Sequence, residues 1–195
     1  MIAIVDYGAG NISSVKKAIE HLGATTQVTS DPAVIAAAEK LIVPGVGHFS
    51  RCEFLNSCLR TAVMESISRE KPFLGICVGM QWLFQGSTES PETPGAALFT
   101  GECSRFPTGV KSPHVGWNQI EVRGNSRLLR RVASPAFVYY THSFRAPLVS
   151  ETVASTEYGG SFSAAVERKN VFGVQFHPEK SGVTGLAILE TFCAL

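Results

Sequence analysis

A chain of 195 residues with 17% charged side chains and a formal net charge of +1 is expected to form one domain, residues 1–195, and to bury about 70% of the surface its unfolded form exposes. A balance so close to neutral excludes the basic footprint of a nucleic-acid or anionic-membrane binder, which leaves small molecules and another protein as partners. Cysteines at 52, 58, 77, 103 and 193, odd in number and without metal-ligand spacing, predict reduced thiols, no metal site and a cytoplasmic protein.

Residues 2–6 are a short apolar run of the kind buried on both faces of a parallel sheet. The run meets Asp6 at once and has no basic leader, so it reads as a first strand rather than a signal peptide. No segment has the length or apolar character of a membrane span. Gly8, Gly10 and Asn11 predict a turn, and 13–22 a helix with Ile12, Val15, Ile19 and Leu22 on one face, closed by Gly23. A second strand fits 25–29. Asp31 and Pro32 start a short helix through 38, with Asp as cap and Pro in the first turn.

Residues 41–47 read as a buried strand running into a glycine-rich turn, and 51–69 as the longest helix. Phe54, Leu55, Cys58, Leu59, Ala62, Val63 and Ile67 lie on or near one stripe of it, and Pro72 stops it. Cys52 and Cys58, six apart, fall on different faces. A further buried strand at 73–76 leads into Gly75-Ile76-Cys77-Val78-Gly79-Met80-Gln81, which has the form of a nucleophile elbow. In such a turn the chain leaves a strand, bends at one strained residue whose side chain is exposed, and enters a helix. Glycines two before and two after are then required sterically. With sulfur as nucleophile, a helix starting at Val78 would favour thiolate. Strand and helix alternating three times predict a parallel α/β sheet with its reactive positions beyond the carboxyl ends of strands.

Residues 87–95 are a polar loop. Shorter strand-like runs follow at 117–122, 137–141, 152–155, 164–167 and 171–176, expected to add antiparallel strands, and 183–194 reads as a closing amphipathic helix. The run Val174-Gln175-Phe176 ends in His177-Pro178-Glu179. A histidine that moves protons needs a third group to fix its tautomer, and Glu179 can reach round Pro178 to do so. A histidine alone at a strand end is more often structural; beside the elbow the weighting reverses. Arg123, Arg127, Arg130 and Arg131 read as a solvated edge, His21 as a helix-terminal residue and Trp82 as packing behind the elbow.

An elbow of the form Gly-Ile-Cys-x-Gly-Met-Gln followed some hundred residues later by His-Pro-Glu resembles the class I glutamine amidotransferases. Asp6-Tyr7-Gly8-x-Gly10-Asn11, Pro44-Gly45-Val46-Gly47, Pro113-His114-x-Gly116-Trp117-Asn118, residues 139–144 and His177 to Gly182 are similar to the branch supplying ammonia for imidazole glycerol phosphate synthesis. The resemblance spans the whole chain and implies a flavodoxin-like, largely parallel sheet flanked by helices, with no cofactor. It also implies that Cys77, His177 and Glu179 cleave L-glutamine, with the Val46 and Val78 N–H groups as oxyanion hole. Gly45, Gly47, Gln81, His142, Ser143 and Phe144 would hold the glutamine. Asn11, Trp117, Tyr139 and Lys180 would face a TIM-barrel synthase (cyclase) subunit in a heterodimer. There ammonia would enter imidazole glycerol phosphate and AICAR formation, in histidine biosynthesis. The segment His48-Phe49-Ser50-Arg51-Cys52-Glu53 departs from the expected pattern and leaves open a relative that aminates sugars. A standalone thiol hydrolase is the further alternative. Peptidase-like relatives carry His directly after the nucleophile, however, where this chain has Val78. A silent scaffold is disfavoured by the joint presence of Cys77, His177 and Glu179.

Overall fold

The computed structural model describes residues 1–195. The first half alternates β1 (Ile2–Val5), α1 (Ile12–His21), β2 (Thr26–Thr29), α2 (Pro32–Ala37), β3 (Lys40–Gly45), a composite helix, β4 (Phe73–Cys77) and α5 (Val78–Gln81). Every residue of β1 and β4 is buried, and all but the first of β3, because helices cover both faces of a parallel sheet. β2, with its Thr and Gln side chains, takes the edge. Local signals set the element ends. The Asp31 carboxylate accepts the Ala33 N–H at 2.8 Å ahead of α2. Gly23, at φ 81°, lets its own N–H and that of Ala24 close on the Glu20 and Ile19 carbonyls at the end of α1.

The stretch expected as the longest helix is broken into a 3-10 turn (Phe49–Arg51), α3 (Cys52–Phe54), a π turn (Leu55–Leu59) and α4 (Arg60–Ser68). Cys52, Leu55, Leu59, Ala62 and Val63 face the core, whereas Phe54 and Cys58, at the margin of the predicted stripe, are exposed. The irregular turn is held from outside. Asn56 accepts the Trp82 indole N–H at 2.9 Å and donates to the Pro94 carbonyl at 2.7 Å, while Arg60 reaches the Gly95 and Ala96 carbonyls. Such tertiary bonds offset the poorer hydrogen bonding of a π turn.

The second half adds β5 (Gly86–Ser87), β6 (Glu102–Arg105), β7 (His114–Val122), β8 (Ala136–His142), β9 (Phe144–Arg145), β10 (Thr152–Glu157), β11 (Ser161–Arg168) and β12 (Val171–Val174), then α6 (Gly182–Cys193), the longest regular helix. All five strand-like runs expected there are strands. One nine-stranded sheet runs β2-β1-β3-β4-β12-β11-β10-β7-β8, and β5-β6-β9 form a small separate one. β2, β1, β3, β4 and β12 are mutually parallel; the remaining pairings of the large sheet are antiparallel. Register places Gly45 beside Cys77 and Val174 beside Ile76. Three adjacent parallel strands therefore end together, and loops of distant sequence meet there. The outer strand β8 returns to the same place: the His177 N–H donates to the Tyr139 carbonyl at 2.9 Å, and the Tyr139 N–H donates to the Ser181 hydroxyl at 2.9 Å. No helix is long and apolar enough to cross a membrane.

Candidate active site

Cys77 ends β4 with φ 54° and ψ −108°, a region in which a side chain costs about 1–3 kcal/mol and which persists only where neighbours enforce it. The enforcement is steric. A Cβ on Gly79 would be driven into the Val43 carbonyl oxygen, and one on Gly75 would sit 2.5 Å from the Gly79 carbonyl oxygen. The helix after the elbow has only four residues, Val78–Gln81. Less macrodipole acts on the sulfur than a full helix would supply.

The other half of the constellation follows β12. His177 Nδ1 lies 2.9 Å from Glu179 Oε1, with both side chains 1% exposed. Engagement of Nδ1 leaves Nε2 buried without a hydrogen-bond partner. Burial by itself would lower the His177 pKa; Cys77 and Glu179 outweigh it and raise the value to about 10. Of the two raising groups, Glu179 is the one held by a hydrogen bond. The 3-10 turn Pro178–Lys180 makes this pairing possible by folding the glutamate back on the ring two residues before it.

A cavity of about 200 Å³ opens on Cys77. Val46 and Gly47 form one wall, Gln81 and Glu89 line it, and His142, Ser143 and Phe144 close it. The Val46 N–H donates to no group in the protein, and Gly47, at φ 115° with open space beside it, gives this turn freedom that a side chain would remove. Glu89 is the one carboxylate lining the cavity, and its Oε2 accepts the Phe49 N–H at 2.8 Å. A thiol on a strained turn, a buried His–Glu pair and a slot with one carboxylate together suit attack on an amide carbonyl of a small zwitterion.

Residues 3–194 match the family model described as "Glutamine amidotransferase class-I". The chain belongs to the class I glutamine amidotransferases. Curated relatives named "Imidazole glycerol phosphate synthase subunit HisH" include one from Thermococcus kodakarensis, 46% identical over 98% of this chain and 98% of its own. Others come from Methanothermobacter thermautotrophicus (45%, covering 98% and 97%) and Salinibacter ruber (43%, covering 100% and 94%). Among solved structures, one titled "Crystal structure of glutamine amidotransferase" superposes with TM-score 0.77 at 17% identity over 100% of both chains. The "Structure of PurLQS from Thermotoga maritima" superposes with TM-score 0.77 at 20% identity, over 98% and 96%; at such identities these two establish the fold.

Within this amidotransferase, Cys77, Val46, Gly47, Val78, Gln81, His142, Ser143 and Phe144 line one cavity, as the motifs lead one to expect. Gly45 does not line it. It packs beneath, where an added Cβ would come within 2.6 Å of both the Tyr7 hydroxyl and the Val78 Cβ. Gln81 also braces the wall: its Nε2 donates to the Phe144 carbonyl (2.8 Å) and to Gln175 Oε1 (3.1 Å). Trp117 packs edge-on against Tyr139 at 6.1 Å, and Lys180 Nζ lies 5.9 Å over the Tyr139 ring. Asn11 heads α1 and makes no side-chain capping bond. Two residues escape the sequence reading. Glu89 is an isolated carboxylate in a polar loop, with no pattern to mark it. Gln175, whose Nε2 lies 3.6 Å from Cys77 Sγ, carries a signal: a polar side chain, wholly buried, inside an apolar run. In the unusual 48–53 segment His48 caps the 3-10 turn, Phe49 and Cys52 lie in the core, and burial pushes the Cys52 thiol up to about 12.

Proposed function

We propose that this amidotransferase hydrolyses L-glutamine to glutamate and ammonia on Cys77 and passes the ammonia to a TIM-barrel cyclase subunit that makes imidazole glycerol phosphate. On this reading it is a single-domain, cytoplasmic partner in a heterodimer. The observation that carries the chemistry is the forced backbone of Cys77 beside the buried His177–Glu179 pair. The acceptor is suggested by relatives named as imidazole glycerol phosphate synthase subunits along the whole chain.

With the Cys77 proton on His177, the sulfur attacks as thiolate at the side-chain carbonyl carbon of glutamine, forming a C–S bond while the carbonyl π pair moves to oxygen. The Val78 N–H, next after the nucleophile, and the unpaired Val46 N–H stabilise that oxyanion. His177, with a pKa raised to about 10, is protonated at neutral pH and gives its proton to the amide nitrogen. The C–N bond then breaks, ammonia leaves and a thioester remains. Neutral His177 next takes a proton from water as the hydroxyl adds to the thioester; collapse breaks the C–S bond, returns the electron pair to Cys77 and releases glutamate. Glu89 receives the substrate's α-ammonium, and the 142–144 backbone its α-carboxylate end.

Replacing Cys77 with Ala is expected to abolish glutamate release and glutamine-dependent product formation in the complex, while synthesis from ammonium salts continues at the wild-type rate. Comparable glutamine turnover by the variant would remove Cys77 from its role.

A further inference from the structure

Behind the cavity wall, three side chains of β7 and β8 form a hydrogen-bonded line. Asn118 Nδ2 lies 3.3 Å from His114 Nε2, His114 Nδ1 lies 3.2 Å from His142 Nε2, and His142 Nδ1 lies 2.8 Å from the Phe144 carbonyl oxygen. Only one arrangement of protons satisfies every link. The Asn118 amide is oriented independently, since its Oδ1 accepts the Gln119 N–H at 2.8 Å and its Nδ2 donates to the Glu157 carbonyl at 3.2 Å. It therefore offers N–H to His114, whose Nε2 must be a lone pair and whose proton sits on Nδ1. That proton is donated to His142 Nε2, which puts the His142 proton on Nδ1, where it is donated to the Phe144 carbonyl. Both rings are neutral in this scheme, in keeping with burial holding His142 at about 3 and His114 at about 4.

The line does not stop at Phe144. Its carbonyl oxygen also accepts from Gln81 Nε2 at 2.8 Å, Gln81 Nε2 donates to Gln175 Oε1 at 3.1 Å, and Gln175 Nε2 lies 3.6 Å from Cys77 Sγ. With the other His142 tautomer, a nitrogen lone pair would face the Phe144 carbonyl, and the carbonyl, Gln81 and Gln175 would lose their common anchor. We infer that His114, which lines no part of the cavity, is a positioning residue for glutamine. By dictating the His142 tautomer it holds the Phe144 carbonyl, and through it Gln81 and Gln175, in the geometry that seats the substrate against Cys77. This rests on the reading of the cavity as a glutamine site.

The competing explanation is that His114 is an aromatic filler, stacked between Tyr158 (centroids 3.9 Å, 15°) and Tyr140 (4.7 Å, 21°). The two roles predict opposite rankings of two variants. His114→Phe keeps the stack and loses the proton; His114→Asn loses the ring and keeps an N–H donor near the place of Nδ1. Glutamate release by the complex with its cyclase subunit is the assay. His114→Phe should raise the KM for glutamine about tenfold, the equivalent of one net hydrogen bond, with kcat within twofold, and His114→Asn should stay within about twofold of wild type in both. The reverse ranking would overturn the inference. Imidazole nitrogen-15 NMR supplies a readout that packing does not move. His142 should carry its proton on Nδ1 in the wild type and lose that preference in His114→Phe; a wild-type proton on Nε2 overturns the inference even if the variants do not fold. Wild-type complex that releases no glutamate would instead sink the glutaminase reading and this inference with it, whereas glutamate release with the His142 proton on Nε2 would sink this inference alone.

Discussion

Tyr7 carries a hydroxyl that is buried with no hydrogen-bond partner, on a residue 3% exposed. Burial, followed by the nearby Cys52 and Cys77, raises its pKa well above the ordinary tyrosine value. An unsatisfied buried hydroxyl costs about 1–3 kcal/mol. Tyr7→Phe is therefore expected to stabilise the isolated chain by about 1 kcal/mol, raising Tm by roughly 2–4 °C; a lower Tm by calorimetry would mean that the hydroxyl is already bonded. His177 makes a second test at this scale, through pH. Its folded pKa of about 10 lies above the ordinary histidine value, so the folded form holds a proton that the unfolded form gives up. The stability it contributes is fully present below about pH 6.5 and is lost as pH rises toward 10. Denaturant midpoints should fall across that window in the wild type, and fall less in His177→Gln. Equal slopes would show that His177 is not held protonated by its neighbours.

At the scale of elements, the glycines of the elbow were legible because a local rule has a local cause: the strand–turn–helix needs room at 75 and 79, and the Val43 and Gly79 carbonyls occupy the space a Cβ would need. Gly79→Ala should accordingly cost more than ordinary overpacking of about 1–3 kcal/mol, because the clash is with backbone that cannot rotate away. Urea unfolding measures this, and a loss below about 0.5 kcal/mol would contradict the steric account. The caps at Asp31 and Gly23 were legible for the same reason. What the sequence concealed was set by contacts from elsewhere in the chain. The π turn is stabilised by Trp82 and the 94–96 carbonyls, and Phe54 is left exposed by the way that segment packs. Glu89 belongs to the cavity only because β3 and α5 end beside its loop, and no spacing along the chain predicts that.

At the scale of the whole molecule, the parallel half of the sheet brings Cys77, His177 and the 45–47 turn together at the carboxyl ends of adjacent strands, while the antiparallel half curls β8 back to complete the cavity. The same return exposes a face. Val115, Trp117 and Phe137 are each more than half exposed on β7 and β8, and Val183 is 85% exposed at the start of α6. Tyr139 joins Trp117 to Lys180, and a Cβ added at Gly182 would meet the Trp117 ring at 3.7 Å, so these residues form one apolar surface with a charge at its rim. It lies on the strand whose Tyr139 carbonyl holds the His177 backbone, close to where ammonia would leave under the proposed mechanism. Free ammonia in neutral water is mostly protonated and no longer nucleophilic, which makes a covered exit valuable. An exposed tryptophan at the centre of such a surface is the expected anchor, with losses of about 2 kcal/mol or more on truncation. Trp117→Ala should weaken association with the proposed cyclase subunit about 30-fold or more by calorimetric titration. Glutamine turnover of the isolated chain should be unchanged, because Trp117 lines no part of the cavity. Unchanged affinity would move the partner to another face of the sheet.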